Sequence, residues 1–202
     1  FSLSDMRKIN SEGVAFRSHI DGSPHFLTPS KVIDLQCGFG SDILMPLDVC
    51  TEPEIEYRYA VRALNLTTEW AKESFRQWKA YPSRKGALFG IIQGNFHKDL
   101  RRQSASEILP VGFPGIAVGG LSVGEEKQRF HDLLAYTAEL LPPGIPHYVM
   151  GIGTPDYILS AVEQSIDIFD CVFATRIARN STVFTESGTI SLKKEQYAED
   201  FA

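Results

Sequence analysis

From Ile43 to Phe169 the chain repeats one unit: a short apolar run, then a longer segment whose apolar residues return every three or four positions. The runs Ile43–Leu47, Ala87–Ile92, Ile116–Val118, Tyr148–Met150 and the stretch around Ile168 read as strands. Strands with no polar alternation belong to a parallel sheet whose two faces are both covered by helices. The segments between them supply those helices. Ile55, Tyr59, Ala63, Leu66, Trp70 and Trp78 mark one face of a long helix, and Leu100, Ile108 and Leu109 mark a second. Phe130, Leu133, Leu134, Thr137, Ala138 and Leu141 give the cleanest amphipathic pattern, and Ile158, Leu159 and Val162 give a fourth. A hairpin built on Val14, Phe16, Phe26 and Leu27, turning at Ile20–Ser23, precedes the series. Thr28-Pro29 and Thr154-Pro155 read as N-caps followed by proline in the first helical position. The first of these opens a short helix with Val32, Ile33, Leu35 and Phe39 on its apolar side. A last hairpin spans Val183–Leu192, turning at Ser187-Gly188.

A doubly wound sheet and a β/α barrel both satisfy this alternation. No G-x-G-x-x-G fingerprint opens a strand–helix junction, which weakens the dinucleotide-binding form of the first. The barrel gains from the placement of polar residues, because Asp48, Gln93, Gly119-Gly120, Met150-Gly151 and Asp170 all fall at strand ends facing one way. In barrels that rim carries the chemistry. Only five barrel-type strands are present, too few to close eight.

The stretch Ile166–Asn180, IDIFDCVFATRIARN, combines a strand with a polar loop holding Arg176 and Arg179. A strand end can hold an acid rigidly while a basic loop beside it grips an anionic substrate. A buried strand ending in a turn, with Asp170 capping a backbone group, is the plainer reading of the same residues. Bulk charge gives no direction: the formal net charge is -5, with 22% charged and 43% hydrophobic residues, so nucleic-acid binding would need a local basic patch. Cys37, Cys50 and Cys171 are odd in number and lack paired spacing, which reads as reduced thiols in a cytosolic protein with no zinc site in this chain. No apolar run approaches membrane-spanning length.

Five motifs in register, SDILMPLDVC, LFGIIQG, IAVGGLSVGE, YVMGIGTP and IFDCVFATRIARN, make the chain resemble the tRNA-guanine transglycosylases, also called queuine tRNA-ribosyltransferases, from SEGVAFRSHIDGS onward. The resemblance implies an incomplete (β/α)8 TIM barrel, roughly its last five strand–helix units with β-hairpin insertions, forming one partial catalytic domain over residues 1–202. It implies exchange of guanine at wobble position 34 of the tRNA anticodon loop for a 7-deazaguanine, preQ1 or queuine, in queuosine biosynthesis. Asp170 matches the nucleophile that forms a covalent ribose intermediate, a step akin to that of retaining glycosidases. Asp48, Gln93, Gly119, Gly120, Leu121 and Met150 match the base pocket. An ionised Asp48 can accept from the guanine N1–H and amino group, while Gln93 and the Gly120 N–H donate to its carbonyl. Glycine permits that close backbone approach, and the Met150 thioether can lie on the ring face.

Gly151, Ile152, Gly153, Thr154, Pro155, Asp156 and Tyr157 resemble one RNA-contacting segment, and Thr175, Arg176, Ile177, Ala178 and Arg179 another. Their roles would be phosphate gripping and stacking on splayed bases, with the target nucleotide extruded into the pocket. Val123 within LSVGE, together with Cys50, resembles the bacterial branch and favours preQ1 over the bulkier queuine. Three positions depart from the family: Leu47-Asp48-Val49-Cys50 stands where Phe-Asp-Glu-Cys is usual, Ala174 replaces proline and Ser181 replaces glycine. The opening FSLSDMRKI reads as a chain entered mid-stream, so the resemblance implies an internal fragment. The family's Asp-Ser-Gly-Gly segment would lie before it and the zinc ligands after it, and the isolated fragment is expected to be inactive. A cytoplasmic location and a possible homodimer also follow from the resemblance. Two other readings stand beside it: a non-catalytic paralogue acting as an interaction subunit, and an unrelated barrel enzyme acting on a phosphorylated metabolite.

Overall fold

A computed structural model describes residues 7–82 and 85–199. The opening stretch up to Met6, part of the segment read as entered mid-stream, lies outside them. The core is a five-stranded parallel sheet in the sequential order β4-β5-β6-β7-β8. These strands are β4 (Ile43–Leu44), β5 (Ala87–Ile92), β6 (Gly115–Val118), β7 (His147–Val149) and β8 (Ile168–Phe169). The crossovers are α2 (Tyr57–Ala80), α3 (Lys98–Ile108), α4 (Lys127–Ala138) and α5 (Pro155–Glu163), with α1 (Pro29–Phe39) before β4 and α6 (Phe173–Ala178) after β8. Sequential order with every neighbour parallel is how a barrel grows, whereas a doubly wound sheet reverses direction at a switch point. The sheet curls as an incomplete β/α barrel.

The strands form where the apolar runs placed them, since β5 is buried from Leu88 to Ile92 and all of β6 is buried. The first run is shorter than its apolar content suggests. Pairing with β5 stops at Leu44, and residues 45–50 leave the sheet as a loop held by Gln36, whose side chain bonds both the amide and the carbonyl of Met45. One hydrophobic cluster runs from Ile33 through Trp78, Phe113, Phe130 and Val149 to Ile166.

Several helix faces differ from the periodicity. In α2 the buried stripe is Ala60, Ala63, Leu64, Thr67, Thr68, Trp70, Ala71, Ser74 and Trp78, and Tyr59 faces solvent. Small residues win the inner face because α2 must pack closely on α1 and α3. Leu35 and Phe39 of α1 are exposed, as are Leu159 and Val162 of α5, where only Ala161 is buried. The N-cap of α1 forms as read, Thr28 Oγ1 accepting from the Lys31 N–H. At α5 Thr154 holds the N-cap position without a capping bond, and its hydroxyl donates to Asp156 instead.

The leading hairpin is β2 (Val14–Arg17) paired with β3 (Pro24–Leu27), and a third strand, β1 (Arg7–Ile9), joins it on the far side of β2. The trailing hairpin, β9 (Thr182–Thr185) and β10 (Gly188–Ser191), turns at Glu186-Ser187, with Gly188 opening the return strand at φ +117°. The basic stretch after Asp170 is the short helix α6, not a loop. Ala174, Arg176 and Ala178 favour that conformation, and neither glycine nor proline interrupts it.

Candidate active site

The strand-end residues meet. Asp48, Gln93, Gly119, Gly120, Leu121, Met150, Gly151 and Asp170 all line one cavity of about 340 Å³, together with Cys50, Ser122, Val123 and Tyr148. That size falls in the range of small-molecule sites, roughly 300–1,000 Å³. A larger cavity of about 710 Å³ lies beside α4, lined by residues such as Glu54, His97, Arg129 and Asp132. It contains none of the predicted residues, and its charges answer one another, as Arg129 pairs with Glu54. The smaller cavity is the one that gathers the strand-end residues.

Asp170 is solvent-exposed at the end of β8. Its Oδ1 accepts from the Tyr148 hydroxyl at 2.6 Å and from the Gly151 N–H at 2.8 Å. Two donors on one oxygen fix the carboxylate at the rim. Asp170 therefore does bond a backbone group, as the plainer reading had it, yet it does so facing the cavity. The contrast with Asp167, at the other end of the same strand, is informative. Asp167 accepts the His147 N–H at 2.8 Å and ties β8 to β7, which is structural work. Burial raises the Tyr148 phenol well above its usual range, and the bond to Asp170 and that carboxylate's charge push it further the same way, so the hydroxyl stays a donor.

At the opposite wall the Gln93 amide donates to Asp48 Oδ2 at 2.6 Å. Gln93 is 3% exposed, and its backbone N–H donates to Ser104 Oγ of α3. Asp48 is held indirectly, since the next residue's N–H, that of Val49, donates to Thr67 Oγ1 of α2. Desolvation raises the Asp48 carboxyl above its ordinary 3.8, with the Gln93 bond and the charge of Arg7 opposing the rise. Cys50 is pushed up to about 11 by burial and then by the charge of Asp48, so it lines the cavity as a thiol.

The glycines are required by space. A Cβ on Gly119 would stand 2.6 Å from Gln93 Nε2, and one on Gly120 would stand 2.5 Å from Gln93 Oε1. Gly120 also holds φ +66°, the left-handed region that favours glycine.

Three further residues of the site were not singled out from the sequence. Tyr148 sat unremarked within a strand, although a polar-tipped aromatic in an otherwise apolar run is a usable signal. Glu125 accepts the N–H groups of Ser122 and Val123 and so shapes the loop after Gly120. Arg101 lies fully buried beneath the glycines. Its signal was present as a charge on the inner side of an amphipathic helix.

The second group of predicted residues is more dispersed. In the 151–157 segment Gly151, Ile152, Gly153, Thr154 and Tyr157 line a second cavity of about 240 Å³ with Ser122, Cys171 and Phe173; the Ile152 side chain is largely buried, whereas Gly151 and Pro155 are exposed. Asp156 is committed to Lys127 and Thr154, contacts that hold its carboxyl at about 2. Tyr157 packs against Phe130. On α6, Thr175, Arg176, Ala178 and Arg179 are exposed and Ile177 is partly covered. Arg176 and Arg179 lie nearly one turn apart.

Fold and cavity together define a β/α-barrel protein with an acid and a polar cavity of about 340 Å³ beside its strand ends. A family model described as queuine tRNA-ribosyltransferase matches residues 1–202. The chain is 48% identical over 202 residues to the queuine tRNA-ribosyltransferase of Caldanaerobacter subterraneus subsp. tengcongensis, covering 100% of this chain and 53% of that protein. It is 50% identical over 202 residues to the protein of the same name from Treponema denticola, again covering 100% and 53%. The chain belongs to the queuine tRNA-ribosyltransferase family. It spans about half the length of the curated relatives it matches.

Proposed function

We propose that the protein carrying this chain exchanges guanine 34 of a tRNA anticodon loop for a 7-deazaguanine through a covalent bond between Asp170 and ribose. The observation that supports it is the convergence on one cavity of Asp48, from the loop after β4, with Gln93, Gly120 and Asp170, which follow β5, β6 and β8. In this reading Asp48 accepts from the N1–H and amino group of the extruded guanine, and Gln93 and Gly120 donate to its carbonyl oxygen. Asp170 attacks C1′ of the ribose as the C1′–N9 bond breaks. The electron pair leaves with guanine, where the donors at the carbonyl stabilise the developing charge. The departing base takes up a proton and the incoming base loses one from N9 as it displaces Asp170, so the exchange is proton-neutral.

Val123 lines the cavity with Leu121, and a side chain there, where the likeness to the bacterial branch also points, favours the smaller preQ1. Exposed Arg176 and Arg179 supply the local positive charge for the RNA backbone that a net charge of -5 does not. Zinc is expected of the family, but no group of three His, Cys, Asp or Glu among the described residues could hold a metal, and no step here uses one. The cytosol is the compartment that fits a tRNA substrate and three free cysteines, and a homodimer is the assembly the family likeness implies.

The test uses the full-length protein. Wild type should form a covalent adduct with anticodon stem-loop RNA that survives denaturing electrophoresis, and should exchange radiolabelled guanine. Asp170→Asn should lose both activities, by at least about a thousandfold in rate, as expected when a nucleophile is removed. An adduct that persists undiminished in Asp170→Asn would overturn the assignment and favour the non-catalytic reading.

A further inference from the structure

The most deeply buried charge in the chain is one the mechanism above does not use. Arg101, on the inner face of α3, is 0% exposed, and no carboxylate among the described residues hydrogen-bonds to it. Its partners are all backbone carbonyls. Nε donates to Asn95 O at 2.9 Å, Nη1 to Gly119 O at 3.2 Å, and Nη2 to Gly119 O at 3.3 Å and Gly120 O at 3.1 Å. Desolvation lowers the guanidinium to about 10, which leaves it charged at neutral pH. The charge of Glu125 opposes that desolvation without a hydrogen bond to the guanidinium, and a buried cation bonded only to carbonyls is a poor way to stabilise a fold. An apolar side chain of similar length would fill the same space.

The geometry shows what the cation does. Among the described residues no peptide bond is cis, so in the Gly119–Gly120 peptide the N–H points opposite to the C=O. Drawing the Gly119 carbonyl down toward α3 therefore turns the Gly120 N–H the other way, into the cavity. Gly120 and Cys50 line the same cavity, and the Gly120 backbone acts on the Cys50 thiol as a donor would, opposing the rise of its pKa. The Gly120 carbonyl is held likewise, which fixes the next peptide and the Leu121 N–H. A cation on the carbonyl also polarises the peptide and strengthens its N–H as a donor.

The surroundings are built to admit this side chain. A Cβ on Gly94 would stand 2.6 Å from the Arg101 amide nitrogen and 2.9 Å from its Cγ. Asn95, which receives Nε, in turn donates to Thr51 Oγ1 and Glu52 O, within the loop that carries Asp48. One guanidinium thus ties the glycine wall of the slot to the acidic wall.

We propose that Arg101 is a positioning residue for base recognition: it sets the orientation and donor strength of the Gly120 N–H that the base carbonyl meets. This rests on the base-exchange reading given above. The experiment takes the full-length protein with Arg101→Met and Arg101→Lys and measures steady-state guanine exchange, varying guanine and tRNA separately. The Met variant should raise KM for guanine at least tenfold, leave KM for tRNA within twofold, and keep covalent trapping of RNA through Asp170. The Lys variant restores charge without the fork, so it should recover part of the guanine KM. A guanine KM unchanged in either folded variant overturns the role of Arg101. So does a parallel loss of both KM values and of trapping, the pattern of a merely structural residue. Should the Met variant fail to fold, the Lys variant decides by the same criterion. Failure of the wild type itself to exchange guanine would instead overturn the base-exchange reading.

Discussion

At the scale of single residues, Asp48 links recognition to pH. Its carboxyl is raised above 3.8 chiefly by desolvation, yet accepting two donors from a base requires the ionised form. The sign follows. The folded state favours the protonated acid, so this residue's contribution to stability is present at low pH and is lost as pH rises through its folded value. Base binding runs the opposite way and fails as pH falls through that same value. We predict that KM for guanine rises as pH is lowered, with a midpoint above 3.8. Asp48→Asn should weaken guanine binding at least a hundredfold at neutral pH, the equivalent of losing about two charge-assisted hydrogen bonds of roughly 1.5–3 kcal/mol each. The same variant should melt at a higher temperature than wild type at neutral pH, and thermal scans across pH would check that. A guanine KM that is flat between pH 5 and 8 in wild type would agree only with a midpoint below that window, so the titration must extend to the acid limit of stability.

At the scale of elements, α2 supplies a controlled comparison between neighbours. Thr67 and Thr68 are both 1% exposed. Thr67 Oγ1 accepts the Val49 N–H beside Asp48, whereas Thr68 Oγ1 has no hydrogen-bond partner among the described residues. Thr67→Val leaves a buried N–H unpaired and should destabilise by about 1–3 kcal/mol. Thr68→Val removes an unpaired hydroxyl from the interior and should be neutral or stabilising by up to about 1 kcal/mol. Urea denaturation of the two variants checks the contrast, and equal destabilisation would contradict it. The pair also shows where sequence reading stops. Periodicity located α2 and its two tryptophans, because apolar residues at helical spacing must face the sheet. It could not say which threonine meets the Asp48 loop, since that depends on a partner 18 residues away in the chain. The same limit hid Arg101, whose partners are carbonyls brought near only by folding. By contrast Asp48, Gln93, Gly119-Gly120 and Asp170 were legible, because a strand end is marked locally by an apolar run giving way to a polar residue or glycine. The short α6 was misread as a loop because two nearby arginines suggested solvent, although its alanines favour a helix.

For the molecule as a whole, most of the exposed apolar residues, Ile20, Tyr57, Tyr59 and Leu192 apart, gather at two places. Leu35, Phe39 and Ile43 lie on α1 and β4, and Leu159, Val162, Val172 and Phe173 lie around α5, β8 and α6. Those are the first and last units of the sheet, whose outer strands each pair on one side only among the described residues. Among the crossovers between them, α3 and α4 expose no large apolar residue, and α2 exposes only Tyr57 and Tyr59. Helix periodicity assigned Leu35, Phe39, Leu159 and Val162 to buried faces because it registers that a face is apolar and not what covers it. Unpaired edges flanked by apolar surface promote association. Residues 1–202 expressed alone should therefore self-associate, which sedimentation across micromolar concentrations would detect. A monodisperse monomer would show that the edges are protected by some other means.

The two bonds on Asp170 carry a stereochemical consequence. Tyr148 and Gly151 both occupy Oδ1, and Oδ2 accepts no hydrogen bond among the described residues. In the proposed exchange one designated oxygen approaches the sugar from one face, and the incoming base must arrive from the other. Two successive inversions at the anomeric carbon return it to its starting handedness, so the modified nucleoside leaves with the same β linkage that the guanosine had.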